Sequence, residues 1–173
     1  SPTRMALDRG AVYLDVHPAS ARSPIAVETP LGVVRHLGTQ FEIRLLGGVE
    51  SEGDPDALRI RVREGRVSVD YRGVVTEASA GSELTLQADG SVARSVASAE
   101  GSAWSWTQQV APEYRLEGRT LASYLAWVSR ETGLSVRFAD PALEAMASRT
   151  VLHGTIAGLT PEESLIVVLP GCG

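Results

Sequence analysis

At 173 residues and a formal net charge of −5, the chain is long enough to bury a core without a disulfide or metal staple, and too acidic for a general nucleic-acid binder. All 16 cations are arginine and no asparagine occurs, which excludes lysine chemistry such as a Schiff base or a Walker-type phosphate loop, and also excludes N-glycosylation and Asn-Gly hairpins. The single cysteine, Cys172, cannot close an intrachain disulfide, and no run of 18 apolar residues exists to span a membrane.

In chain order, Met5-Ala6-Leu7 is too short for the apolar core of a signal peptide and leads straight into Asp8. The first residues therefore read as a cut into a longer protein. Val12, Leu14 and Val16 alternate with Tyr13 and Asp15, the period-2 pattern of a strand, and His17-Pro18 stops it because proline lacks a ladder donor. Ala19 to Ser23 reads as a loop, and Ile25 to Glu28 as a short strand. Val33 to His36 reads as another, ending at a Gly38 corner where glycine tolerates positive φ. Phe41, Ile43 and Leu45 then alternate with Glu42 and Arg44. Gly47-Gly48 and Ser51 to Asp56 form the most polar loop.

The same grammar returns from Leu58 to Val69, with its own corner at Gly65. Glycines at 65, 73, 81 and 90 then separate Val67/Val69, Val74/Val75 and Leu84/Leu86, and Asp89-Gly90 before Val92 is the best hairpin signal in the chain. Short strands at such even spacing mean an all-β sandwich, barrel or solenoid.

The character changes after Gly101. Trp104 and Trp106 would share one face of an extended segment, and Pro112 marks a boundary. Thr120 to Glu131 carries Leu121, Tyr124, Leu125 and Val128 at helical spacing, with Thr120 as N-cap and Gly133 just past the end. Leu134, Val136 and Phe138 alternate as in a strand, Asp140-Pro141 opens a helical turn through Met146, and Thr150 to Ile156 reads as a further strand. Thr160 with Glu163 forms a capping box with Pro161 at the first helical position, and Pro170-Gly171 ends that helix.

Two stretches carry a family resemblance. Val27-Glu-Thr-Pro-Leu-Gly-Val-Val-Arg-His-Leu-Gly-Thr-Gln-Phe-Glu-Ile43, followed by Ile60-Arg-Val-Arg-Glu-Gly-Arg-Val-Ser-Val69, resembles the periplasmic part of FecR-like anti-sigma regulators. Leu116-Glu-Gly-Arg-Thr-Leu121, Glu131-Thr-Gly-Leu-Ser-Val136, and Leu152-His-Gly154 with Leu159 to Leu165 are similar to the short N-terminal domain of secretins and TonB-dependent transporters. The resemblance implies a mainly β protein: a twisted solenoid-like or sandwich-like all-β lobe over residues 1–111, then a small βαβ-type α/β lobe over residues 112–173. The family lobe continues into further strand after its second helix, whereas this sequence stops at Gly173.

The resemblance further implies a non-enzymatic sensory module with no cofactor. It implies a periplasmic location in a single-pass inner-membrane protein. The implied partners are the signalling domain of a TonB-dependent transporter in iron uptake and, through a cytoplasmic part outside this sequence, a sigma factor. No nucleic acid is implied, and membrane attachment would come only through a segment outside this sequence. Partner pairing by strand addition would use Leu134, Val136, Phe138, Val151 and His153. A different reading is an envelope module that binds cell-wall glycan through Trp104, Trp106 and Tyr114.

Residue patterns for catalysis are missing. His17, His36 and His153 have no metal-ligand spacing, Cys172 has no evident base, and Glu162/Glu163 and Asp54/Asp56 fit a helix start and a solvated loop. Arg59, Arg61 and Arg63 form a one-sided ladder, read as the wet face of a strand before it is read as a dock for an acidic partner.

Overall fold

The computed structural model describes residues 3–16, 25–47 and 54–172. Two compact units are present, Ser1–Ala99 and Glu100–Gly173.

The first unit is one eight-stranded sheet, mixed and curled into a half-barrel: β1 (Thr3–Ala6), β2 (Ala11–Asp15), β3 (Ile25–Thr29), β4 (Gly32–Leu46), β5 (Ala57–Tyr71), β6 (Val74–Ser79), β7 (Ser82–Gln87) and β8 (Val92–Val96). Its spine is the antiparallel pair of β4 and β5, 15 residues each. Each spine strand changes partner halfway. β4 pairs β3 over Gly32–Arg35 and β2 over Gln40–Arg44. β5 pairs β7 over Ala57–Val62 and β6 over Arg66–Tyr71. β1 lies parallel to β3, and β8 pairs β7. The sheet thus has two arms, β1-β3-β4-β5-β6 and β2-β4-β5-β7-β8, which share the spine.

The bend falls at one level. Gly38 on β4, Gly65 on β5 and Gly81 between β6 and β7 have φ of 62°, 78° and 78°. The strand register shifts there, between Leu37 and Phe41. This shift decides which side chains are inside. Val34 and His36 are buried on one arm, and Phe41, Ile43 and Leu45 on the other; Leu58, Ile60 and Val62 give way to Val67 and Val69. Even positions become odd in both strands. Side chains alternate faces, so without the extra residue one arm would turn its apolar stripe to water. A Cβ on Gly65 would collide with the Gly38 carbonyl oxygen, so this corner is closed to any other residue. Val33 to His36 is therefore not a separate short strand: β4 runs through the Gly38 corner, because the bulge bends the strand without ending its ladder.

The core of this unit gathers Val27, Val34, Phe41, Ile43, Leu58, Ile60, Val67 and Leu84 from both arms. The mainly β expectation holds, and the form is one curled mixed sheet rather than two packed sheets. At the open seam, Arg94 of β8 donates to the Glu77 carbonyl of β6, at 2.5 Å. The Asp89-Gly90 hairpin is as read, with Gly90 at φ 90° and Asp89 accepting from Ser91 N at 2.8 Å. His17-Pro18, the Ala19 to Ser23 loop and most of the polar loop after Gly47 lie outside the described residues.

The second unit is built on α1 (Ser105–Gln109), α2 (Leu121–Thr132), α3 (Pro141–Ala147) and α4 (Pro161–Val168). The capping signals place three of them. Thr120 accepts from Ser123 N, Asp140 accepts from Ala142 N and Leu143 N, and Thr160 with Glu163 completes the capping box. Gly133 closes α2 in the left-handed conformation. Leu121, Tyr124 and Val128 meet Leu116, Ala147, Leu152, Ile156 and Val168 in a separate core. Its polar tie is the Tyr124 hydroxyl on Ser164 Oγ at 2.6 Å, both fully buried; that burial raises the tyrosine's pKa. Pro170 does not end the helical run: a 3₁₀ turn, Leu169–Cys172, carries it on.

Two expectations for this unit change. Trp104 and Trp106 lie in a 3₁₀ turn (Ser102–Trp104) and in α1, not in an extended segment, so they do not share a face. Leu134 to Phe138 and Thr150 to Ile156 are not laddered strands. The second makes one bridge, Thr120 to Val151, before the chain turns at Gly154, φ 109°. The first is tied at its start to α2: Leu134 N donates to Thr132 Oγ1, and Ser129 Oγ donates to Leu134 O. Its polar groups there are spent on helix side chains, and the following residues run on without a ladder partner.

Candidate partner-binding surfaces

The first candidate surface is the segment after α2. Ser135, Val136 and Arg137 are exposed, while Leu134 and Phe138 are half-buried, with Phe138 against the unit's core. No backbone hydrogen bond involves residues 135–139 among the described residues. The alternation of Leu134, Val136 and Phe138 thus anchors two side chains and leaves Val136, 39% exposed, facing out.

The second segment sits beside α2. Leu121 N donates to Thr150 O and Leu152 N to Arg119 O, both at 2.8 Å, so one edge is satisfied. Val151, between those bonds, turns its own N–H and C=O away from this partner, and its side chain is 49% exposed. His153 is exposed and meets Glu117: its Nδ1 is 2.8 Å from Oε1, while Gly154 N donates to Oε2 at 2.7 Å. That amide donation, helped by the imidazole, holds the Glu117 carboxyl below its ordinary pKa. Leu134, Val136 and Phe138 therefore share one segment and Val151 and His153 another; no ladder joins the two.

The arginine ladder is laced across the sheet. Glu42, fully buried, accepts from Arg44 Nε at 3.0 Å and from Arg59 Nη2 at 3.2 Å. Arg61 pairs with Glu83, and Arg63 donates to Ala99 O at 2.8 Å and to the Tyr13 hydroxyl at 3.1 Å. Sequence reasoning missed Glu42 as the organiser. The signal was there: a carboxylate on β4 flanked by arginines on the same face of the next strand.

His36 is buried at 3% exposure and stacks on Phe41, with ring centroids 6.2 Å apart. Its Nε2 accepts from Ile25 N at 2.9 Å, and Gly38 N points at Nδ1 from 3.2 Å. A protonated ring would face both amides with N–H groups, and burial lowers its pKa. His36 is a corner brace. Among the described residues no cluster of acids, histidines or cysteine could hold a metal, and no helix is long and apolar enough to cross a membrane. Trp104, with no exposed surface, leaves the set offered for glycan contact; Trp106 and Tyr114 are half-buried.

The sheet unit has a family counterpart. Residues 1–68 match the family model described as FecR protein, which covers the spine pair through the Gly65 corner. Over those residues the chain is similar to the FecR protein family. Two crystal structures of a candidate anti-sigma factor from Parabacteroides distasonis ATCC 8503, at 2.50 and 1.65 Å, are similar to it at 16% identity and a TM-score of 0.45. They cover 99% and 97% of this chain and 74% and 73% of theirs. No curated protein matches the chain.

Proposed function

We propose that this chain is the sensory part of a transmembrane anti-sigma regulator and works by protein binding, without catalysis. On this reading it lies in the periplasm and receives the signalling domain of a TonB-dependent transporter engaged in iron uptake. A cytoplasmic part elsewhere in the protein would pass the signal to a sigma factor. Residues 1–111 would serve as the FecR-like scaffold and residues 112–173 as the docking lobe.

The observation that carries the reading is the run of free backbone at residues 135–139, with the outward-turned Val151 on a separate segment as a second site. An extended segment with unmet N–H and C=O groups suits a partner strand, which supplies main-chain bonds and needs few special side chains. Val136 and Val151 would add apolar contact, and His153 would lie at the rim.

Calorimetry with the transporter signalling domains of the same organism tests this. Binding in the micromolar range is expected. Val136→Pro, which removes one amide donor from the exposed segment, should weaken it by about tenfold or more. Failure of every such domain to bind at tens of micromolar would overturn the reading.

A further inference from the structure

A groove of about 470 Å³ opens on the second unit, between the stretch from Gln108 to Tyr114 and the stretch from Ile156 to Pro161. That volume is within the range of roughly 300–1,000 Å³ found for small-molecule sites. Tyr114 and Trp127 stack along it, with ring centroids 4.8 Å apart and planes 23° apart, and Leu159, 38% exposed, adds apolar surface. Among the described residues, three polar groups in the lining have no protein partner: the Trp127 indole N–H, the Gln109 carboxamide and the Glu113 carboxylate. No arginine or histidine lines the groove.

We propose that this groove binds a neutral saccharide. Half-exposed aromatic surface suits the C–H faces of a sugar ring. The free indole N–H, carboxamide and carboxylate offer both donors and acceptors, as a ring of hydroxyl groups requires. Charge excludes the main competitors among small ligands: a phosphate or carboxylate would approach Glu113 with no cation to receive it. A proline-rich peptide also suits aromatic grooves, but proline carries no N–H, so it would leave the Glu113 carboxylate and the Gln109 carbonyl without a donor. The site uses none of the residues assigned to strand addition, so the two readings stand or fall apart.

The test is nitrogen-edited NMR of the whole chain, titrated at millimolar concentration with tetra-N-acetylchitotetraose and, separately, with maltotetraose. The Trp127 indole signal, assigned through Trp127→Phe, and the Gln109 side-chain amide should shift saturably with at least one of them. Gln109→Ala and Glu113→Ala, both at exposed positions, should each weaken binding roughly fivefold and leave thermal unfolding unchanged. Three results would overturn the proposal: no shift with either sugar, binding that survives both substitutions, or a decaproline peptide that occupies the groove when neither sugar does.

Discussion

At the scale of single residues, the corner glycines are not equivalent. A Cβ on Gly38 meets nothing within 4 Å, whereas one on Gly65 runs into the Gly38 carbonyl and the Thr39 methyl. Gly38→Ala should therefore cost only the left-handed backbone penalty, about 1–2 kcal/mol. Gly65→Ala adds a backbone collision and should cost more, about 3 kcal/mol or above. Urea denaturation of the two variants separates them. His36 gives a pH signature. Its folded pKa lies below the ordinary 6.5, so the unfolded chain binds the extra proton. The neutral ring's contribution is complete above about pH 6.5 and is lost as pH falls from there towards the folded pKa. A urea midpoint that drops over this window in the parent chain, and drops less in His36→Phe, is the expected result. Glu42 is a fourth position that can be tested singly. Its two arginine partners keep some contact with water, so Glu42→Ala should cost less than the breaking of a fully buried pair, about 1–3 kcal/mol, read in the same assay.

At the scale of elements, the three capped helices, α2, α3 and α4, were the legible part. Thr120, Asp140 and the Thr160/Glu163 pair each name a helix start in sequence, and each caps one in the structure. Thr160→Ala should cost about 1 kcal/mol and loosen amide exchange in the first turn of α4. The carboxyl of Glu163 is held below its ordinary pKa by the Thr160 amide, so what the box contributes fades in acid as that carboxylate protonates. Strands were legible where the core takes one face, as in the arms of β4 and β5 and in β7, and the β7–β8 turn was legible from Asp89-Gly90. They misled at Leu134 to Phe138. Alternation there reports two anchored side chains, and alternation alone cannot report whether a neighbouring strand exists. The continuity of β4 through Gly38 was hidden for a related reason. A glycine that ends a strand and a glycine that bends one look the same until the partner strand's own glycine is placed opposite.

At the scale of the molecule, each unit carries its own core, the first drawn from both arms of the sheet and the second centred on Tyr124. The likeness of residues 1–68 to the FecR protein family was readable because its motifs lie on the spine, where geometry tolerates few alternatives. The groove at Trp127 was not readable, since it joins stretches about 50 residues apart whose local signals report a helix start and a turn, not a shared cleft. With separate cores, Ile60→Ala should speed amide exchange across the sheet and leave Tyr124 and its neighbours protected. Val128→Ala should do the reverse, each at a cost of about 2–4 kcal/mol to its own unit.

The shared bend also limits how such a protein can change length. Each long strand switches phase once, at the corner, so an insertion of one amino acid anywhere along an arm would swap greasy and charged side chains from that point to the strand's end. Two added together would not. Kindred chains should therefore differ by even numbers along the arms and by any number in the connecting loops, and a deletion scan that tolerates pairs but rejects singles would show the rule at work.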